Sequence, residues 1–176
     1  MKLLFAVSLF LSTLGAGAQA YRAAATGPGA YTTVGIEGSF FKGDYGKVNL
    51  YGPTIVVDAH LHRYLGIEAE ARFLRWGGKQ GVQQNTYLAG PRYSFKPSGW
   101  VPYVKMPVGL GTMRFPYTYG NGNYFVMAPG GGVEKWIAND TIRIRVVDVE
   151  YQVWPQFTFG TLKPYGVSTG ISFRVW

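Results

Sequence analysis

Leu65-Gly66-Ile67-Glu68-Ala69-Glu70-Ala71-Arg72-Phe73-Leu74 is the stretch on which the fold turns. Successive side chains of a strand point to opposite faces. Leu65, Ile67, Ala69, Ala71 and Phe73 therefore share one apolar face, and Gly66, Glu68, Glu70, Arg72 and Leu74 share the other. The same alternation recurs in both directions. Upstream, Val34, Ile36, Gly38 and Phe40 alternate with Gly35, Glu37 and Ser39, and Ile55, Val57, Ala59 and Leu61 alternate with Val56, Asp58, His60 and His62. Downstream, Tyr87 to Phe95 opposes Arg92 and Ser94, Val104 to Leu110 opposes Lys105, and Tyr124 to Glu134 has a small or polar parity of Ala128, Gly130, Gly132 and Glu134.

The last two runs complete eight strands. Arg143 and Arg145 share a polar parity that slips to Asp148, Glu150 and Gln152, so a β-bulge is expected near Val146-Val147. Val167, Thr169, Ile171, Phe173 and Val175 close the chain against Ser168, Gly170, Ser172 and Arg174. No segment keeps a helical period for long. Longer connections (residues 43–52, 76–85 and 112–123) alternate with shorter ones (63–64 and 96–99), the pattern of an up-and-down barrel with its loops at one end. Pro91, Pro107 and Pro129 fall inside proposed strands, where a missing N–H predicts bulges or strand ends.

The composition sets the outer bounds. The chain has 176 residues, 47% hydrophobic, 16% aromatic and 15% charged, with 25 glycines, no cysteine and a net charge of +8. This suits one folded domain and excludes disorder, thiol catalysis and cysteine-bound metal. Residues 1–20 combine Lys2, an apolar run from Leu3 to Leu14 and a small-residue ending Ala18-Gln19-Ala20, the form of a cleaved signal peptide. The run is too short for a spanning helix, which needs roughly 20 apolar residues. Residues 21–30 are then a short N-terminal segment and residues 31–176 the barrel domain.

Alternation does not reveal which face is outside, and a soluble, exported, lipocalin-like barrel binding an apolar ligand is the rival to a membrane barrel. Three features put the apolar face against lipid. The polar parity is rich in Gly and Ser, leaving room inside a narrow barrel. Its charges nearly balance, with seven acids (Glu37, Asp58, Glu68, Glu70, Glu134, Asp148, Glu150) against six bases (Arg72, Arg92, Lys105, Arg143, Arg145, Arg174), as buried charges must. Aromatics gather near strand ends (Tyr31, Phe40, Tyr51, Phe73, Trp76, Phe95, Trp100, Trp136, Trp154, Tyr165, Trp176), where a membrane has its interfaces. The fold class expected is all-β: an eight-stranded antiparallel transmembrane β-barrel.

The segments Leu88-Ala89-Gly90-Pro91-Arg92-Tyr93, Gly130-Gly131-Gly132-Val133-Glu134, Arg145 to Tyr151 and the closing Gly170 to Trp176 carry a family likeness. From about Val34 to Trp176 the chain resembles the small outer-membrane β-barrel superfamily, the OmpA/OmpX-like barrels. The resemblance implies an outer-membrane location and makes Gly170, Ile171, Phe173 and Trp176 the signal read by the barrel-assembly machinery, although Trp176 stands one step off the parity of Ile171 and Phe173.

The candidate residues divide into two sets. A lumen charge network is expected from Glu37, Asp58, His60, His62, Glu68, Glu70, Arg72, Arg92, Lys105, Glu134, Arg143, Arg145, Asp148 and Glu150. His60 and His62 share parity with Asp58 and could hold a metal with Glu68 or Glu70, but without a clear third ligand they read as lumen lining, and no metal or cofactor is expected. Six bases near the longer loops (Lys42, Lys47, Arg75, Lys79, Arg114, Lys163) face one acid, Asp44, and suit the phosphates of lipopolysaccharide. At the other end Arg22, Arg63, Lys96 and Lys135 stand against Asp140. The dispersal of the bases between two ends disfavours nucleic acid. A lipid-modifying enzyme would need a serine beside a histidine, and no serine lies within two residues of either histidine, although Ser39, Ser94 and Ser168 could approach through the fold. The expected role is structural, envelope-integrity or surface-interacting and non-catalytic, in a monomer.

Overall fold

A computed structural model describes residues 30–44, 48–76, 81–95, 99–116 and 120–176. Ten strand segments are present: β1 (Tyr31–Lys42), β2 (Asn49–His60), β3 (Leu65–Arg75), β4 (Gln83–Ser94), β5 (Trp100–Lys105), β6 (Val108–Arg114), β7 (Gly122–Met127), β8 (Gly130–Ile137), β9 (Ile142–Tyr151) and β10 (Tyr165–Arg174). They form eight antiparallel staves, because β5 and β6 run on as one stave beside β4, and β7 and β8 as the next. The barrel closes where β1 pairs with β10, from Thr33 opposite Arg174 to Lys42 opposite Tyr165.

The prolines explain why eight staves become ten segments. Pro107 separates β5 from β6 and Pro129 separates β7 from β8. Pro91 stays within β4, at the level where β4 exchanges β6 for β5 as its neighbour. Proline cannot donate to the ladder, but its carbonyl still accepts. Met106 N–H donates to Pro91 O at 3.0 Å, Ala128 N–H to Pro107 O at 2.9 Å and Tyr151 N–H to Pro129 O at 3.0 Å. The wall is thus stitched across each interruption.

The bulge lies where the parity slips. Ser168 pairs with Asp148 and Gly170 with Arg145, while on the other side Val133 pairs with Val147 and Glu134 with Arg145. One extra residue in β9 leaves Val146 and Val147 both facing out. Without it, either the two arginines or the two acids of β9 would face the apolar side.

The apolar parity faces outward all round. Ile36 is 64% exposed and Leu110 60%, while Glu68, Arg72 and Asp58 on the opposite parity are wholly buried. An apolar belt of this extent is not carried by a soluble monomer and fits lipid. Among the described residues the lumen holds buried ion pairs in one half and packed apolar side chains in the other, unlike the open apolar chamber of a lipocalin. Lysine placed at Val57, Ile67, Val108 or Ile171 is therefore expected to destabilise the barrel by about 2 to 4 kcal/mol in lipid. Urea titration in vesicles checks this, and a cost near zero at all four sites would mean that the belt is not in the bilayer.

The girdle of aromatics requires correction in three places. Phe40, Tyr51, Trp76, Phe95, Trp100 and Tyr165 are outward and exposed. Trp154 instead is completely buried inside the barrel. Tyr31 and Trp136 meet edge to face at 5.4 Å, with Tyr31 stacked on the buried His60 ring, so they close the short-turn end of the lumen.

Candidate functional site

The lumen is divided into a charged half and an apolar half. Alternation on every stave sends one parity inward, and a narrow barrel must fill that space with side chains. In the charged half, seven carboxylates (Glu37, Asp58, Glu68, Glu70, Glu134, Asp148, Glu150) are buried with five bases (Arg72, Arg92, Lys105, Arg143, Arg145). Arg145 is the hub. Its guanidinium lies 2.8 Å from Glu37, 2.7 Å from Glu68, 3.0 Å from Glu134 and 3.4 Å from both Asp58 and Asp148. Lys105 Nζ reaches Glu68 at 2.8 Å, Glu70 and Asp148 at 3.1 Å and Glu150 at 3.3 Å. Arg72 pairs with Glu150 at 2.5 Å and Glu70 at 3.2 Å. Arg92 joins Asp58, Glu68 and Glu134, and Arg143 joins Asp58 and Glu134.

Two expected members lie elsewhere. His62 is exposed in the turn after β2, its ring 5.8 Å from Tyr64, because the strand ends at His60 and parity has no meaning beyond it. The two histidines therefore do not converge on a metal. Arg174, counted with the inward bases, is exposed, with its guanidinium 5.1 Å from the Tyr31 ring centre. One member was missed. Tyr103 is buried among the charges, donates its hydroxyl to Asp148 and takes the Arg92 guanidinium at 3.9 Å over its ring. It stands two residues before Lys105 on the same strand face, which was the available signal.

The apolar half lies toward the longer connections and was not foreseen. Phe41, Leu50, Leu74, Leu88, Met113, Tyr124 and Val126 point inward from the staves. The β9–β10 connection adds Trp154, Phe157 and Leu162. That connection folds back on itself, with Trp154 N–H donating to Leu162 O at 2.8 Å and Leu162 N–H to Trp154 O at 3.2 Å. Gly111 makes this fit, since a Cβ there would run into the Trp154 ring. A polar chain joins the two halves. Trp154 Nε1 donates to Gln152 Oε1 at 3.0 Å, Gln152 Nε2 donates to Glu150 at 2.8 Å, and Glu150 pairs with Arg72.

The rim bases stand above this lid. Lys42 ends β1 with its ammonium 5.9 Å from the Tyr165 ring centre, and Arg114 ends β6, exposed. Arg75 donates to Asn85 Oδ1 at 2.6 Å and to Leu74 O at 2.8 Å. Lys163 is exposed, and its backbone N–H donates to Asp44 at 2.9 Å, which ties two connections together. Lys47 and Lys79 lie outside the described residues. Of the serines, Ser39 Oγ lies 2.7 Å from both Thr54 Oγ1 and Ser168 Oγ, inside the lumen, while neither ring nitrogen of His60 nor Ser94 Oγ has a hydrogen-bond partner among the described residues.

No protein-family model matches this sequence, and no curated protein does. Solved structures do match. Neisserial surface protein A superposes with a TM-score of 0.63 at 12% identity, covering 82% of this chain and 96% of that one. The outer membrane enzyme PagL gives 0.56 at 11% identity over 77% and 97%, and Ail, the attachment invasion locus protein of Yersinia pestis, 0.52 at 17% over 82% and 97%. The fold is that of the small eight-stranded outer-membrane barrels. In such a barrel the short turns face the periplasm and the longer connections the exterior. In this chain the charged half lies toward the short turns, and the Trp154 lid and the rim bases lie toward the longer connections. Gly170, Ile171 and Phe173 lie in β10 opposite Glu37, Ile36 and Val34, and the Trp176 carbonyl accepts from Thr32 N–H at 2.7 Å, extending the closing seam by one step.

Proposed function

We propose that this protein is a non-catalytic outer-membrane barrel with an envelope-integrity and surface-interaction role, exerted through its external rim. One observation carries the reading: among the described residues the inward side chains meet across the barrel, in ion pairs in one half and packed around Trp154 in the other, which leaves the outside of the barrel as the exchange surface. At its external end the exposed charges are chiefly Lys42, Arg114 and Lys163, with Arg75 beside them. Phosphates of lipopolysaccharide are the anions that meet such a rim. The closing segment Gly170, Ile171, Phe173 and Trp176 serves as the assembly-machinery signal on this reading, and the export signal is residues 1–20. The attachment in the name of Ail agrees with a surface-interaction part.

A base near an anionic lipid surface is worth about 1 kcal/mol. Replacing Lys42, Lys47, Arg75, Lys79, Arg114 and Lys163 with glutamine is therefore expected to weaken lipopolysaccharide binding at least about a hundredfold at low salt. Unchanged binding of reconstituted protein to lipopolysaccharide would sink the rim reading. The likeness to PagL keeps a lipid-modifying activity as the second reading. Its chemistry needs a serine activated by histidine, whereas Ser39 and Ser168 bond to each other and to Thr54. Mass spectrometry of lipid A from cells with and without the protein decides between the two, an altered acyl pattern favouring the enzyme.

A further inference from the structure

Resting on the rim reading, we infer that a notch in the lipid-facing wall seats one acyl chain of a lipopolysaccharide molecule whose phosphate lies at Lys42. The notch is centred on Gly38. Most strand glycines of the barrel are forced by close approach, as at Gly35, Gly166 and Gly170, where a Cβ would strike the neighbouring strand. Gly38 faces outward, and a Cβ there would meet nothing within 4 Å. Neither backbone conformation nor packing requires a glycine at that place.

Cross-strand register shows what its absence of side chain creates. Pro53, Gly38 and Thr169 are neighbours on β2, β1 and β10. The next outward row above them is Tyr51, Phe40 and Val167, and the row below is Ile55, Ile36 and Ile171. A hollow of about 480 Å³ lies against this wall, lined by Gly38, Phe40, Tyr51, Val167, Thr169 and the bulged Val146-Val147 pair among others. The bulge also displaces ladder partners on β9, and Thr169 Oγ1 donates to the Arg145 carbonyl at 2.9 Å. That polar group in the floor is met by protein rather than left toward the membrane, where an unmet one is costly.

The occupant follows from the surroundings. The hollow opens into the apolar belt, which hydrocarbon wets, so the chain of a lipid reaches it. Lys42 is the next outward residue of β1 beyond Phe40, and it is the external end of that strand. Asp44, the acid near it in sequence, accepts from the Lys163 backbone. A positive charge thus stands just above an apolar slot, which matches a phosphate joined to an acyl chain and places the molecule in the outer leaflet.

Native mass spectrometry of the detergent-purified barrel loaded with lipid A tests this. The wild type should retain one lipid A per barrel. Gly38→Leu and Gly38→Ile, both filling open space and checked for folding by heat-modifiable migration, should lower retention about tenfold or more. Lys42→Gln should lower it less, and lipid A stripped of phosphate should no longer distinguish Lys42→Gln from wild type. Equal retention in both filled variants overturns the notch. If the six-glutamine rim variant loses lipid A while Gly38→Leu keeps it, the notch fails and the rim reading stands; if the rim variant keeps it, the rim reading fails. A fall in a dimer population in Gly38→Leu with lipid retention unchanged overturns the lipid as occupant in favour of a second copy of the chain.

Discussion

Arg145→Met is expected to cost the barrel at least about 3 to 5 kcal/mol, the range for removing one partner from a buried ion pair. The side chain meets Glu37, Asp58, Glu68, Glu134 and Asp148 at once, so its loss strands buried carboxylates from five staves. Removing an acid should behave differently. With seven buried carboxylates against five buried bases among the described residues, Glu37→Gln lessens an excess of negative charge and leaves Arg145 four other partners. Its cost should stay within about 1 kcal/mol and could be negative. Urea unfolding in lipid vesicles measures both. Equal effects of the two substitutions would mean that the network is solvated and that the count of charges does not govern it.

Trp154→Ala should rank beside it, at about 3 to 5 kcal/mol, because a fully buried indole leaves a cavity that the strands cannot collapse to fill. The cavity would be chiefly apolar, bounded by Tyr124 and the Gly111 backbone, with Phe157 packed on Tyr124 and Gln152 at one edge. Such cavities stay dry and take up small apolar molecules. Added indole should therefore recover part of the lost stability, measured as the shift in the unfolding midpoint. Trp154→Phe keeps most of the packing and loses the bond to Gln152, worth about 1 kcal/mol. A loss no larger for alanine than for phenylalanine would show that the lid does not pack as described.

The alternation of Leu65 to Leu74 was enough to place Glu68, Glu70 and Arg72 together inside, since strand parity is a local property of the backbone. The bulge at Val146-Val147 was legible for the same reason: both charged pairs of β9 could face inward only if one residue was skipped. The breaks at Pro107 and Pro129 followed from a missing donor. His62 was misplaced because parity applies only within a strand and β2 ends at His60, whereas Arg174 is the last residue of β10, at the short-turn end of the barrel, where inward parity does not bury a side chain. The Trp154 lid was illegible. Its residues lie in a thirteen-residue connection, 152–164, with no periodicity, and only the closed barrel supplies the hole into which that connection folds.

The sequence by itself determined the two faces of the wall and the number of staves, because each depends on residues close along the chain. Tertiary structure alone decided which inward residues meet. Alternation assigns Arg145 and Glu68 to the same interior, but their 2.7 Å contact depends on the stagger of staves far apart in sequence. The same closure divided the lumen into a charged half toward the short turns and an apolar half toward the longer connections, and left the hollow beside Gly38 on the outward wall.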